Sequence, residues 1–243
     1  MQTIGTIGFM AGIPLQYTAH YRSGMFMVAE TIEHFTRRGE TVGLAFPTTT
    51  DHAQARNQLA DVAIEHESDW LFLADCDQTF DPLTVVHLVA DMEAHTLDVI
   101  TGMYFLKGRP YLPVIYTYVA EVGGFRQICK FPRETVFQVE GTGGGCLLIR
   151  TSVLRRIKDE LGLRPFDNRY TDGAGWLMED LSFALNCRDL GIAMWCDPRV
   201  ESRHIHQIEI GYAEFDSHPY EGATVDLTTH VAASTPEEEP VHV

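Results

Sequence analysis

The stretch Asp69-Trp70-Leu71-Phe72-Leu73-Ala74-Asp75-Cys76-Asp77 constrains this chain more than any other. Its short apolar run, Trp70 to Ala74, reads as a buried strand. Two carboxylates, Asp75 and Asp77, follow directly. In open α/β sheets, ligands sit just beyond the carboxyl ends of strands, so this pair falls where a site belongs. Oxygen ligands at such close spacing suit a hard divalent cation such as Mg²⁺ or Mn²⁺. Asp81-Pro82 then reads as a helix opening, with Asp81 as N-cap and Pro82 in the first turn. A D-x-D is short, so its meaning depends on what else the chain supplies.

Around this stretch the pattern alternates. Residues 3–10 read as a first strand and 16–23 as a polar, aromatic loop. Met25, Val28, Ala29, Ile32 and Phe35 recur at helical spacing, with Gly39 closing the helix. A strand follows at 41–46. Asp51 and Gln54 resemble a capping box for a helix through Leu59, Val62, Ala63 and Ile64, which leads into the D-x-D strand. A helix over 82–95 and a strand over 97–104 complete a β-α-β-α-β-α-β series, which predicts a largely parallel sheet with helices on both faces. Residues 107–135, rich in Pro and Gly, break this rhythm and read as an irregular hairpin region. Strands at 136–140 and 146–149 flank Gly141-Thr142-Gly143-Gly144-Gly145. A helix over 152–161, a loop over 175–179, a helix through Leu181 to Leu190 and a strand over 192–196 ending at Asp197-Pro198 finish the core.

Charge and cysteine usage narrow the function. The formal net charge is -16, against which a nucleic-acid partner is not expected. Half of that charge lies beyond Arg203, where eight acids and no Lys or Arg occur. Residues 207–232 read as an extension, and 233–243 as a disordered acidic tail. The five cysteines form no C-x-x-C pair and read as separate thiols in a reducing cytoplasm. No apolar run approaches the ~20 residues of a membrane span, and no basic segment followed by an apolar one opens the chain. The chain thus reads as soluble and cytoplasmic.

Three further groups carry possible chemistry. Glu179-Asp180 opens a helix, where acids are favoured by the helix dipole and where one of them can serve as a general base. His204 and His206 follow the last strand; alternate residues of an extended segment point the same way, so both can face one site. The glycines at 141–145 let a backbone approach a ligand closely. They do not spell G-x-x-x-x-G-K-[ST], and no helix begins directly after them.

Taken in order, these pieces resemble a GT-A-fold glycosyltransferase, most like family 2 and its small bacterial and phage-type members. The matching segments are Ala55-Arg56-Asn57, residues 71–82 (LFLADCDQTFDP), 141–150 (GTGGGCLLIR), 179–183 (EDLSF) and 191–206 (GIAMWCDPRVESRHIH). The resemblance spans residues 1–206. It implies a GT-A, Rossmann-like, mostly parallel α/β sheet, with residues 107–135 as an irregular acceptor-side region. It implies a nucleotide-sugar donor, a UDP- or GDP-sugar, held on Mn²⁺ or Mg²⁺, and a glycan, protein or small-molecule acceptor. By position, Asp75 and Asp77 match the metal-binding pair, and His204 or His206 the later histidine of the metal shell. Arg56 matches an arginine near the nucleotide, and Gly143, Gly144 and Gly145 match the turn lining donor sugar and acceptor. Asp180 matches the catalytic base of inverting members, with Glu179 its neighbour. Two other readings fit some of the same residues. Asp75-Cys76-Asp77-Gln78-Thr79 also suits the D-x-D-x-[TV] of haloacid-dehalogenase-like, Mg²⁺-dependent phosphatases, though two βα units precede it here. A non-catalytic sugar-nucleotide-binding protein would be expected to lose Asp180 or the D-x-D, and both are present.

Overall fold

The computed structural model describes residues 3–9, 18–206, 209–217 and 225–226. The chain first alternates strand and helix: β1 (Thr3–Phe9), α1 (Thr18–Arg37), β2 (Thr41–Ala45), α2 (His52–Glu65) and β3 (Trp70–Ala74). A short β4 (Gln78–Phe80) precedes α3 (Thr84–Ala94) and β5 (Val99–Met103). The hairpin β6 (Ile115–Val119) and β7 (Gly124–Lys130) fills the region expected to be irregular, and β8 (Phe137–Val139) and β9 (Gly141–Thr142) follow it. Then come β10 (Cys146–Arg150), α4 (Thr151–Leu161), β11 (Arg169–Thr171), β12 (Gly175–Leu177), α5 (Glu179–Asp189) and the long β13 (Met194–Ile205). Three short elements, β14 (Glu209–Ile210), α6 (Tyr212–Asp216) and β15 (Val225–Asp226), follow.

The central sheet runs β2-β1-β3-β10-β5-β13. β1 pairs parallel with β2 and β3, and β13 parallel with β5, while β10 is antiparallel to both its neighbours. Five of these six strands therefore point one way. Period-two alternation splits each central strand between two cores. Leu71 and Leu73 of β3 join Ala55, Leu59 and Ala63 of α2, Leu154 of α4 and Phe183 of α5. Trp70, Phe72 and Ala74 face Met27 and Phe35 of α1 and Val85, Leu88 and Met92 of α3. Helices thus cover both faces. This is a mixed, mostly parallel α/β sheet covered by helices on both faces, as the sequence pattern predicts. β2 and β3 lie on opposite sides of β1, so the sheet has a switch point there, and Asp75 follows the carboxyl end of one of its strands.

Several expectations shift. The segment expected as a loop at 16–23 is helical from Thr18, and α1 buries Met27, Val28, Thr31 and Phe35 while Met25, Ala29 and Ile32 stay exposed. The helical period holds, but packing on Trp70 selects a neighbouring face. Asp81 does not cap α3. Its Oδ1 accepts from Leu83 N–H at 2.8 Å in a turn that delays the helix to Thr84. Residues 175–179 are not a loop, because β12 pairs with β11 and Glu179 begins α5. The most consequential shift concerns β13. It does not stop at Asp197-Pro198; the register jumps between Asp197 and Glu201, and the strand continues to Ile205. A bulge of this kind accommodates proline, which cannot donate to a ladder.

Of the expected extension at 207–232, only residues 209–217 and 225–226 are described, and the tail at 233–243 lies outside the described residues. Tyr212 and Phe215 pack on Phe105 and Phe131, with the Arg133 guanidinium 4.0 Å from the Tyr212 ring centre. Among the described residues no cysteine pair forms a disulfide, and no helix is long and apolar enough to cross a membrane.

Candidate active site

Three elements bring the metal-type ligands together. Asp75 leaves the carboxyl end of β3, and the chain turns over Cys76 and Asp77 into β4. β4 then pairs antiparallel with the far half of β13, placing Gln78 opposite His204. Ile205 N–H closes the turn on the Asp77 carbonyl at 2.8 Å. Ligand atoms of Asp75, Asp77 and His204 consequently lie within 4.8 Å of one another. His204 Nε2 is 3.9 Å from Asp77 Oδ1. His206 is not part of this group: β13 ends at Ile205, so the alternation that would turn His206 the same way stops before it, and its side chain is exposed.

The donor set fits a divalent cation. His204 Nδ1 lies against the carbonyl of Phe105. A carbonyl only accepts, so Nδ1 carries the proton and Nε2 keeps its lone pair, the usual arrangement for a ligating histidine. The edge of the Tyr104 ring also fixes the imidazole, with centroids 5.2 Å apart. Two oxygen ligands and one imidazole form a set compatible with Mn²⁺ or Mg²⁺. A positive charge already sits there, since the Lys107 ammonium pairs with Asp77 Oδ2. The Gln78 amide Nε2 donates to that His204 Nε2 lone pair at 3.0 Å while its Oε1 accepts from Ser202 Oγ at 2.7 Å, so a cation bound by His204 would replace this hydrogen bond.

Behind Asp75 lies a buried charge group. Arg56, on α2, is 3% exposed; its Nη1 donates to Glu179 Oε1 at 2.6 Å and its Nη2 to Asp75 Oδ1 at 3.3 Å. Burial of the guanidinium opposes its charge, but Asp75, Asp180 and Glu179 together hold its pKa above the ordinary arginine value. Glu179 and Asp180 are adjacent in sequence yet differ in placement. Glu179 is buried against Arg56, whereas Asp180 is half-buried, with Leu181 N–H donating to its Oδ1 at 2.8 Å. Desolvation pushes the Asp180 carboxyl above the usual range; Arg56 pulls it back, and Glu179 adds to the rise. Tyr104 and Tyr116 both feel the Asp180 charge.

The glycine turn at 143–145 packs against these groups without room for side chains. A Cβ on Gly143 would lie 2.1 Å from Tyr104 Oη, one on Gly144 2.4 Å from Arg56 Cζ, and one on Gly145 2.8 Å from Asp75 Oδ2. Gly145 N–H donates to Tyr104 Oη at 3.1 Å, and its carbonyl accepts from Asp75 N–H at 3.1 Å. The turn therefore clamps Asp75, Arg56 and Tyr104 in place.

Sequence reasoning did not single out Lys107, Gln78 or Tyr104. Tyr104 and Lys107 follow the carboxyl end of β5, the same edge of the sheet as Asp75, and that position is the signal that could have found them. A cavity of about 530 Å³ lies beside His204, lined by Leu106, Lys107, Gly108, Arg109, Pro110 and Leu112 as well.

No protein-family model and no curated protein sequence matches this chain. Solved structures do resemble it. A197 from STIV superposes with a TM-score of 0.52 at 15% identity, covering 98% of this chain and 100% of that one, which shows a common fold. S. aureus TarS gives a TM-score of 0.45 at 12% identity over 80% of this chain and 58% of that one. A Drosophila beta1,4-galactosyltransferase 7, solved with manganese, UDP-Gal and xylobiose, gives 0.42 at 13% identity over 84% of this chain and 71% of that one.

Proposed function

We propose that this protein is a metal-dependent glycosyltransferase that moves a sugar from a UDP- or GDP-sugar to an acceptor hydroxyl with inversion at the anomeric carbon. The observation that carries this reading is the pairing of a cation-type site, Asp75, Asp77 and His204, with a half-buried carboxyl, Asp180, whose pKa burial raises. Inverting glycosyl transfer needs a base on the acceptor side and positive charge on the leaving group. Asp75, Asp77 and His204 would hold the divalent ion, which neutralises a leaving diphosphate as a Lewis acid.

The remaining steps fall to the chain itself. Asp180, made more basic by desolvation, takes the proton of the acceptor hydroxyl as that oxygen attacks the anomeric carbon. The bond from that carbon to the diphosphate oxygen breaks, and the electron pair leaves with the nucleoside diphosphate. Arg56 acts from behind: buried between Asp75 and Glu179, it orients the former and offsets charge beside Asp180. Glu179 serves as its counter-ion, so the catalytic role falls on Asp180 alone. Gly143, Gly144 and Gly145 hold Tyr104, Arg56 and Asp75 in place from behind, and the cavity beside His204 offers Lys107 and Arg109 to phosphate oxygens.

Calorimetry of the protein with UDP and with GDP, each in Mn²⁺ and in EDTA, tests this directly. Metal-dependent binding of one nucleotide is expected, with Asp77→Asn abolishing it and Asp180→Asn preserving it while ending transfer. Binding of neither nucleotide by the folded protein, together with hydrolysis of a generic phosphate ester, would replace the transferase by a phosphatase using Asp75 as nucleophile.

A further inference from the structure

The ribbon formed by β4 and the far half of β13 has two faces. In its register Gln78 pairs with His204, and Thr79 with Arg203. Successive side chains of a strand point to opposite faces. Gln78 and His204 therefore share the face of the metal-type ligands, and Thr79 and Arg203 share the reverse one. That reverse face opens on a cavity of about 560 Å³, which Thr79, Arg199 and Arg203 line from the ribbon. Its other wall is the start of α3, including Asp81, Thr84 and His87. Neither Gln78 nor His204 lines it.

The helix start is short of acceptors. Leu83, at the N-cap position, has no side chain to offer the helix, and the first turn carries no acid. Thr84 is the first residue of α3, and its side chain leans toward the N-terminal end, where the cavity lies. It is wholly buried, and its hydroxyl has no hydrogen-bond partner among the described residues. Thr31, inside α1, donates its hydroxyl to the Met27 carbonyl one turn back at 2.7 Å. Thr84 has no preceding helical turn to use in that way. A buried hydroxyl left unpaired is costly, so it marks a place where a partner belongs.

The charged groups around the cavity leave donors, not acceptors, for an occupant. Arg199 is fixed by Nε and Nη2, which donate to Asp197 at 2.8 and 3.1 Å, and Nη2 also reaches Asp91 at 3.0 Å. Its Nη1 has no partner among the described residues. The two lining acids are already engaged. Asp81 Oδ1 accepts from Leu83 N–H, and the Glu201 oxygens accept from Tyr212 N–H at 2.9 Å and Arg203 Nε at 3.0 Å. We infer that this cavity binds the phosphate group of a small molecule, between the Thr84 hydroxyl at the start of α3 and the Arg199 and Arg203 guanidinium groups. A helix N-terminus and arginine both favour such an oxyanion. The volume exceeds that of phosphate alone and leaves room for the group it is attached to. Because the ribbon stands between this cavity and Asp75, Asp77 and His204, the phosphate is not that of a sugar donor.

The test is phosphorus NMR titration of the full chain with inorganic phosphate, beside Thr84→Val, Thr84→Ser and Arg203→Gln. Acetate is titrated in parallel by calorimetry, and the phosphate titration is repeated with UDP or GDP and Mg²⁺ present. The expected result is phosphate binding that Thr84→Val and Arg203→Gln each weaken roughly tenfold and Thr84→Ser largely keeps. Nucleotide should leave it unchanged. Without phosphate, Thr84→Val should melt no lower than the wild type, since it removes only an unpaired hydroxyl. Absence of phosphate binding, or equal binding by Thr84→Val, overturns the inference. So does displacement of phosphate by nucleotide, which places the anion at the metal-type site, or acetate binding as tightly as phosphate, which assigns a carboxylate. Failure of the wild type to bind either nucleotide would end the transferase reading and leave this site to the Thr84 and Arg203 variants.

Discussion

Replacing Arg56 with methionine is the sharpest probe of how the site is built. The guanidinium and the Glu179 carboxylate are 3% and 5% exposed at their side chains and 2.6 Å apart. Taking the guanidinium away leaves Glu179 buried, with His52 Nδ1, on a largely exposed side chain, 3.7 Å away. Breaking a buried pair by removing one partner costs about 3–5 kcal/mol, because the other charge stays desolvated. For a chain of this size each kcal/mol lowers Tm by roughly 2–4 °C, so Arg56→Met is expected to lower it by roughly 6–20 °C. Glu179→Gln alone is expected to cost less, since Arg56 retains Asp75 at 3.3 Å. In the double variant Arg56→Met/Glu179→Gln the stranded charge is gone, and much of the loss returns. Urea denaturation of the four proteins gives the coupling, expected at about 1–3 kcal/mol. Coupling below about 0.5 kcal/mol would refute the buried-pair account. Removing Arg56 also removes the charge that pulls the Asp180 carboxyl down, so that carboxyl should titrate at still higher pH in the Arg56→Met variant.

Other perturbations separate the parts of the site. Gly144→Ala places a methyl 2.4 Å from Arg56 Cζ and should cost about 1–3 kcal/mol by overpacking, whereas Gly108→Ala, with nothing within 4 Å, should be neutral in the same urea titration. Lys107→Met removes the resident ammonium from Asp77 and should tighten Mn²⁺ binding by nucleotide-free protein, read by electron paramagnetic resonance of free Mn²⁺; weaker binding would show that Lys107 supports the cation instead of competing with it. Away from the site, burial and the Asp197 carboxyl raise Asp91 to about 6 from 3.8, against the pull of Arg199. The folded state therefore holds a proton that the unfolded chain has released, so this group's contribution falls as pH rises from 3.8 to about 6. Asp91→Asn should flatten that decline in Tm against pH, and an unaltered slope would assign it to another group.

The chain order of helices and strands was largely legible because each depends on local pattern. The apolar run at 70–74 could only be a strand, and the βα rhythm on either side set the parallel frame. Phase and boundaries were less legible, since they answer to tertiary contact. The spacing in α1 fits two adjacent faces equally well, and Trp70 decides between them. Proline at 198 suggested an end to the last strand; a bulge let the ladder resume beyond it, and only that resumption brings His204 alongside Gln78. A bulge leaves no mark in a single sequence beyond the residue it tolerates.

The same reasoning explains what was legible in the site. Asp75, Asp77 and Asp180 stand at the starts or ends of elements, where pattern locates them, and acids there point to chemistry without any coordinates. Glu179 is indistinguishable from Asp180 in sequence, since both open one helix. What divides them is the direction of each side chain from the helix start: one turns to Arg56, which reaches it across 123 positions of chain, and the other to the half-open edge. Lys107 was harder still, because a lysine in a Gly- and Pro-rich loop reads as solvated until β4 folds Asp77 toward it. Residues that act directly at a strand end can thus be found by pattern, whereas those that brace or counterbalance them are found only by contact. In this site the brace spans 123 positions of chain, so a change at Arg56 should reach Asp75 and Asp180 together, through one guanidinium.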